Sequence, residues 1–145
     1  MRVRCLYNTG EALRAYEYNV LSEKMMGRFG ATAETYYGML DIGEEYEVMG
    51  ILILDTYQAY LIDDGTLVAI FPCQLFEIMD DRVNTNWHFR LIDKDETTYY
   101  PLVQAIFGYP ELCLDKKAIE KLIDELDEES YQIYFKRKRE LKKEY

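Results

Sequence analysis

Histidine, cysteine and phosphate-binding motifs are scarce or missing in this chain of 145 residues. Its single histidine is His88, and its three cysteines (Cys5, Cys73 and Cys113) lie far apart without a CxxC pair. This spacing excludes a disulfide framework and a zinc site made of paired cysteines, so we expect three buried thiols. Neither GxxxxGKS/T nor GxGxxG occurs, which argues against an ATP-dependent synthetase or kinase, and we expect no cofactor.

Long apolar runs are also missing. The longest, at 48–54, has seven residues, whereas a membrane-spanning helix needs about 20. No apolar stretch of the kind found in signal peptides follows Arg2 and Arg4. We therefore expect a soluble, cytoplasmic protein without a membrane partner. Hydrophobic residues still make up 49% of the chain, which is enough to bury the core of one domain over residues 1–145.

Basic residues are also fewer than acidic residues. The chain has 27 acidic against 17 basic residues and a formal net charge of −10. Residues 116–145 contain nine bases and eight acids, so the other eight bases and nineteen acids leave −11 on residues 1–115. Nucleic acids and anionic membranes are bound through Lys and Arg, so nucleic acid is an improbable partner. An acidic surface instead attracts a basic protein.

Alternating residues predict short strands in the first 80 residues, beginning at Arg2–Tyr7. Alternation is lost at Gly50, which predicts a bulge or a sharp bend there. Asp63-Asp64-Gly65 has the composition of a tight turn between two strands. Five short strands with tight turns predict an SH3-like five-stranded barrel, or a strongly bent antiparallel sheet, over residues 1–80. The strands that follow the first are predicted at 43–54, 57–62, 66–71 and 75–79.

Helical spacing occurs in two regions, so the predicted fold class is α+β. Glu11–Met26 predicts a helix within an insertion that spans residues 11–41. After a further strand at 87–92, the segment 115–143 predicts C-terminal helices with a break near Asp127. Residues 81–145 are therefore expected to form a strand plus helices packed on the barrel. The apolar stripe of this last region comprises Ile119, Leu122, Ile123, Leu126, Ile133 and Tyr134.

Four segments resemble small bacterial proteins with an SH3-like β-barrel. In order they match IGxxYxV, IDDxG, an aromatic-Pro pair and LFEI, the second to fifth strands of such barrels. The segments are Ile42-Gly-Glu-Glu-Tyr-Glu-Val48, Tyr60-Leu-Ile-Asp-Asp-Gly65, Phe71-Pro72 and Leu75-Phe-Glu-Ile78. Segments 86–89 and 104–111 are similar to an uncharacterised bacterial family with no established activity. The paired tryptophans of proline-binding SH3 domains are absent, so the resemblance does not imply proline recognition.

Two functions that differ from simple protein binding stay open. A small enzyme would use a carboxylate cluster, or Cys73 with His88 as a nucleophile and its base. No local signature surrounds either residue, and Asp93-x-Asp95 lacks the glycine and the distal glutamate of a calcium loop, so no metal site is expected. A ribosome- or RNA-associated accessory protein would instead use the basic run 136–143, which Glu140 interrupts.

Acidity and tyrosine content favour a binding surface. The chain has 14 tyrosines, whose amphipathic rings are enriched where proteins meet. We therefore predict a non-enzymatic acidic protein-binding module whose partner is a basic protein surface. An immunity-type protein that neutralises a basic toxin is a specific version, and a homo-oligomer stays open. The candidate interaction surface comprises Glu45, Glu47, Asp63, Asp64, Asp80, Asp81, Tyr36, Tyr37, Tyr57, Tyr99 and Tyr100.

Overall fold

A computed structural model describes residues 1–144, and the side chains of residues 1–141. Two antiparallel sheets and several short helices make up an α+β fold, which confirms the predicted class. The smaller sheet consists of β1 (Arg2–Cys5), β2 (Glu45–Glu47) and β6 (Phe76–Asp80). The larger sheet consists of β3 (Gly50–Leu54), β4 (Gln58–Asp63), β5 (Val68–Pro72), β7 (His88–Leu91) and β8 (Val103–Gly108). The strand orders are β2-β1-β6 and β5-β4-β3-β8-β7, and neither sheet closes into a barrel.

The helices lie mainly after the last strand. They are α1 (Pro110–Leu114), a π-helical turn (Glu120–Asp124) and α2 (Glu128–Glu144), and two 3-10 turns (Gly10–Tyr16 and Cys73–Leu75) occur earlier. Pro110 begins α1, because its fixed φ suits the first helical position and its missing N–H has no intrahelical partner there. Within the described residues, no helix combines the length and the apolar character needed to cross a membrane.

The chain passes from the smaller sheet to the larger one at the predicted bend. β2 ends at Glu47 and β3 begins at Gly50, directly opposite Gly108 on β8. A Cβ on Gly50 would lie 2.7 Å from a methyl carbon of Leu112 and 3.3 Å from the Phe107 carbonyl oxygen, so the absence of a side chain at position 50 lets the two strands and α1 pack closely.

The larger sheet has a core on each face, because side chains alternate along its strands. The helix-side core, between the sheet and the C-terminal helices, includes Leu52, Leu61, Ile106, Leu112, Leu122 and Tyr134. The strand-side core, between the sheet, the smaller sheet and the segment after β1, includes Val3, Leu13, Val48, Tyr60, Ile62, Leu75 and Phe76. This division explains why β3 and β4 are apolar on both faces.

The strand pattern of the sequence predicts that Val48, Tyr60, Ile62, Ile70 and Phe76 lie in one core. Val48, Tyr60, Ile62 and Phe76 share the strand-side core, as their alternation predicts. Placing Ile70 with them is wrong, because its register partner on β4 is Leu61 and both face the helix-side core.

The C-terminal helices pack on the strands, as predicted, and they cover the second face of β3. Ile119 and Leu122 share the helix-side core with Leu52. The predicted break near Asp127 is confirmed, and the Asp127 carboxylate accepts the Ser130 N–H at 3.0 Å at the start of α2. The assignment of Leu126 to the covered face is wrong, because it lies in the break with a φ of 52° and is exposed.

The helix predicted at Glu11–Met26 is wrong. Only a 3-10 turn at Gly10–Tyr16 forms, and Val20, a member of the expected apolar stripe, is fully exposed. The Arg14 guanidinium instead donates to three backbone carbonyl groups within 22–25, which holds this stretch as a loop folded around the arginine. Side-chain to backbone hydrogen bonds have therefore outcompeted helical periodicity.

We expect Phe76→Ala to lower the free energy of unfolding by about 3–5 kcal/mol, because Phe76 is buried and its removal leaves a cavity. Its ring contacts Tyr60 and Tyr46, with centroid separations of 5.6 and 6.3 Å. Urea unfolding measures the change. Tyr36→Ala, which removes an exposed ring, is the control and should change stability far less. Equal effects would contradict the strand-side core.

Truncation after residue 114 should expose the helix-side core, because Ile119, Leu122 and Tyr134 would no longer cover β3 and β8. We expect the 1–114 fragment to aggregate or to self-associate, as measured by light scattering on the purified fragment. A monomeric fragment with an unchanged fold would mean that the C-terminal segment is an independent arm.

Candidate functional site

Acidic side chains from two turns and one strand converge on an open cleft of about 300 Å³ at the end of β4. The loop before β2, β2 itself and the β4–β5 turn form its walls, and α2 contributes Lys138 to its floor. We call this feature the acidic cleft. Its carboxylates belong to Asp41, Glu44, Glu45, Glu47, Asp63 and Asp64.

The floor of the cleft is a buried ionic network centred on Asp63. The Asp63 side chain is only 1% exposed, and Lys138 Nζ lies 2.9 Å from both of its carboxylate oxygens. The Tyr134 hydroxyl donates to Oδ1 at 2.8 Å, and the Gly65 N–H donates to Oδ2 at 2.9 Å. Burial and the Asp63 charge raise the pKa of Tyr134 far above its usual range, so the phenol keeps its proton and remains a donor.

The β4–β5 turn places a second carboxylate at the rim. Gly65 adopts a φ of 99°, a left-handed conformation that glycine takes without steric cost. The N–H groups of Thr66 and Leu67 donate to Asp64 Oδ1 at 2.9 and 2.8 Å. These two hydrogen bonds hold the pKa of Asp64 below its usual range, so its exposed carboxylate stays ionised.

β2 contributes one buried and one exposed glutamate. Sequence alternation predicts both Glu45 and Glu47 on the solvated side, but the Glu47 side chain is 9% exposed. Burial raises the pKa of Glu47, and the amino group of Met1 at 3.5 Å partly offsets this effect. Glu45 lies at the surface 3.8 Å from Arg2, a contact of little energetic weight.

A turn anchored to β1 presents two further carboxylates. The Glu44 N–H donates to the Asp41 carbonyl at 3.1 Å, and the Cys5 N–H donates to the Glu44 carbonyl at 2.9 Å. The Asp41 N–H donates to the Tyr46 hydroxyl at 2.8 Å. The side chains of Asp41 and Glu44 are exposed, and no cation among the described side chains forms an ion pair with them. They are the uncompensated charges of the rim.

The acidic residues predicted to form one interaction surface do not all lie together in the structure. Glu45, Glu47, Asp63 and Asp64 meet in the acidic cleft, but Asp80 and Asp81 lie at the end of β6, on the other side of β1. Arg82 donates to both Asp80 oxygens, at 2.9 and 2.7 Å, which lowers the pKa of Asp80 and neutralises its charge locally. Asp63 was expected to lie in a solvent-exposed turn. Its side chain is instead buried, and Lys138 of α2 forms an ion pair with it.

The predicted tyrosines are dispersed, and none lines the acidic cleft. Tyr36 and Tyr100 are exposed. Tyr37 and Tyr57 are half-buried, and burial raises the pKa of each. Tyr99 is buried, and its hydroxyl accepts a backbone N–H from the π-helical turn at 2.8 Å. Tyr99 therefore has a packing role in place of the predicted surface role.

The structure does not bring Cys73 and His88 together. Cys73 follows β5 and His88 begins β7, at opposite edges of the larger sheet. Cys73 is half-buried rather than buried as predicted, whereas Cys5 and Cys113 are buried. Burial raises the pKa of Cys73 to about 11, so it is a protonated thiol at neutral pH. Among the described residues, no group of three His, Cys, Asp or Glu side chains could hold a metal ion.

The basic run near the C-terminus is partly occupied by internal ion pairs. Arg137 donates to both oxygens of Glu111, at 2.8 and 2.9 Å, and also contacts Glu140. Lys138 is held by Asp63. The side chains of residues 142 and 143, which complete the run, lie outside the described residues. These pairs leave fewer charges for a phosphate backbone than the sequence suggests.

Comparison with protein-family models, with curated proteins and with solved structures finds no match for this chain. The case for a function therefore depends on the geometry and charge of the acidic cleft. Sequence reasoning missed Asp41, Glu44 and Lys138 as lining residues of this cleft, and Tyr134 as a partner of Asp63 beneath it. A signal for Lys138 existed, because it follows Tyr134 by one helical turn and so lies on the apolar face of α2.

We expect Lys138→Met to lower the free energy of unfolding by about 3–5 kcal/mol, because it leaves the buried Asp63 carboxylate without its counter-charge. Asp63→Asn should cost less, since Lys138 is partly exposed and can reach water. The double variant should be more stable than Lys138→Met alone. Urea unfolding of the three variants measures this, with Lys136→Met on the exposed side of α2 as the control. Additive losses would contradict a coupled ion pair.

Proposed function

We propose that the protein is a non-enzymatic binding module that receives a basic protein surface at the acidic cleft. The observation that carries this proposal is the contrast between floor and rim. The single cation among the described side chains that line the cleft, Lys138, is already bound by Asp63. Asp41, Glu44 and Asp64 at the rim are exposed and carry uncompensated negative charge.

The chemistry of the cleft favours binding over catalysis. A general acid or base needs a desolvated carboxylate within reach of substrate. The two desolvated carboxylates here, Asp63 and Glu47, already have cationic partners. The remaining carboxylates face water and supply a fixed negative field. Such a field attracts lysine and arginine, and a guanidinium can bind a carboxylate through two hydrogen bonds at once.

An immunity-type protein that neutralises a basic toxin is the specific version of this proposal, since long-range attraction between opposite charges speeds such an encounter. A cytoplasmic location is part of it, and three free thiols suit a reducing compartment. The relationship of this chain to small bacterial proteins with an SH3-like barrel is also part of the proposal. It is supported by the bend between β2 and β3 and by the 3-10 turn at Cys73–Leu75 that leads into β6.

The test removes rim charge without changing shape. In Asp41→Asn with Glu44→Gln, we expect the association rate with a basic partner to fall several-fold at low salt, because the rim steers the encounter. The matched control is Asp93→Asn with Asp95→Asn, which changes the net charge equally at an exposed turn after β7. The partner is recovered from lysate on immobilised protein, and kinetics are measured by surface plasmon resonance.

Salt provides the second arm of this test. The Debye length shortens from about 30 Å at 0.01 M salt to about 10 Å at 0.1 M, so association should slow markedly across this range. An acidic partner, an association rate indifferent to salt, or equal effects of the two double variants would overturn the acidic cleft as the binding site.

A further inference from the structure

Two strongly exposed apolar side chains lie on β7, an edge strand of the larger sheet. Phe89 is 60% exposed and Leu91 is 70% exposed. They alternate with His88 and Arg90, so both belong to the sheet face opposite the helix-side core. Two apolar rows continue from them across the sheet, in which Phe107, Ile51 and Ile53 are half-buried and Ala105 is buried. These rows are Phe89, Phe107 and Ile51, and Leu91, Ala105 and Ile53.

The backbone of β7 directs hydrogen-bonding groups away from the sheet. The Ile92 N–H donates to the Gln104 carbonyl on the β8 side at 3.0 Å. Because these directions alternate along an antiparallel strand, the N–H and C=O groups of Phe89 and Leu91 point outward. In the described part of the chain, β7 is the last strand on this side of the sheet.

The other sheet edges carry features that discourage pairing, and β7 does not. β6 bears Glu77 and Asp80, β2 is a three-residue strand with two glutamates, and β5 ends at Pro72. The one charged side chain of β7, Arg90, contacts Glu96 of the same molecule at 2.6 Å, and both are largely buried. No free charge on β7 therefore opposes strand addition.

We propose that β7 pairs antiparallel with β7 of a second copy, so that the two larger sheets join into one continuous sheet. With a twofold axis at Arg90, Phe89 of each copy lies opposite Leu91 of the other. The outward N–H and C=O groups of both residues are then satisfied in two hydrogen-bonded pairs. The Phe–Leu cross-strand contacts also cover the two most exposed apolar side chains of the strand.

A second copy fits this edge because, about a twofold axis, a single antiparallel register pairs the outward groups of both β7 strands. The same residues supply the donors and the acceptors, and Phe89 and Leu91 meet each other across the axis. The two Arg90 side chains meet on the opposite face, where each is already paired with Glu96 of its own copy. The acidic cleft lies at the end of β4, three strands away from β7, so the main acidic surfaces of the two copies stay apart. This interface uses none of the residues of the proposed binding function and goes beyond it.

The first test measures the mass of the full chain by sedimentation velocity from nanomolar to high micromolar concentration. We expect a dimer whose population rises with concentration. Leu91→Lys should raise the dimer dissociation constant by more than about tenfold, because it places a charge at the interface. Val20→Lys, the same change of charge at a fully exposed apolar site in the loop after the 3-10 turn, should leave it unchanged.

Added NaCl should strengthen the dimer, because each copy carries a net charge of −10. This response is opposite to that expected for a basic partner, so failure of one proposal is distinguishable from failure of the other. A monomer at every concentration would overturn the second-copy proposal and leave the edge to a strand of another protein. Equal effects of Leu91→Lys and Val20→Lys would overturn it as well.

The second test fixes the register with Phe89→Cys and Leu91→Cys in two copies of different tag length. In a hydrogen-bonded antiparallel pair the Cα atoms lie about 5.5 Å apart, within reach of a disulfide. We expect mild oxidation to cross-link the mixture into a heterodimer and to leave each variant alone uncross-linked. A dimer without this heterodimer band would overturn the register, and cross-linking of either variant alone would do the same.

Discussion

The buried carboxylate of Asp63 determines how the C-terminal helix lies against the sheet. Only 4% of the residue and 1% of its side chain are exposed. A desolvated carboxylate without partners is unfavourable by several kcal/mol, so its donors have to be in place together. Gly65 supplies one donor from the turn, and Tyr134 and Lys138 supply the others from α2. These contacts fix both the rotation of α2 about its axis and its position along β4.

The same network joins the acidic cleft to the helix-side core. The Tyr134 ring packs edge-on against Tyr109 inside that core, with a centroid separation of 6.0 Å, while its hydroxyl reaches Asp63 at the cleft floor. A rigid floor of neutralised charge therefore underlies a rim whose carboxylates remain free. Since charge at the floor is compensated, the electrostatic character of the cleft depends on Asp41, Glu44 and Asp64, which face water.

Sequence patterns predicted those structural elements that are determined by residues close to one another in the chain. The Asp-Asp-Gly turn and the break near Asp127 each depend on residues within a few positions, and both are confirmed. The bend at Gly50 is confirmed as well, although Leu112 on α1 also crowds that position. The insertion was mispredicted because the hydrogen bonds of Arg14 override a helical spacing. The burial of Asp63 could not be predicted from its turn, because its counter-charge lies 75 residues further along the chain. The position of β7 at the edge of the larger sheet could not be predicted either, because it depends on the order of the strands in the sheet.

The acidic cleft and the β7 edge differ in the forces that each would use. The cleft acts through long-range attraction that salt weakens, whereas the edge acts through backbone pairing and apolar contact that salt strengthens by screening the charge of the two copies. In the proposed dimer the twofold axis lies at Arg90, so the two clefts are separated by three strands on each side of it. A partner with two basic patches at that spacing would bind both clefts, and the second contact would form at the high effective concentration that the first one creates. Dimerisation at β7 would therefore increase the avidity of the acidic clefts without adding a contact to either.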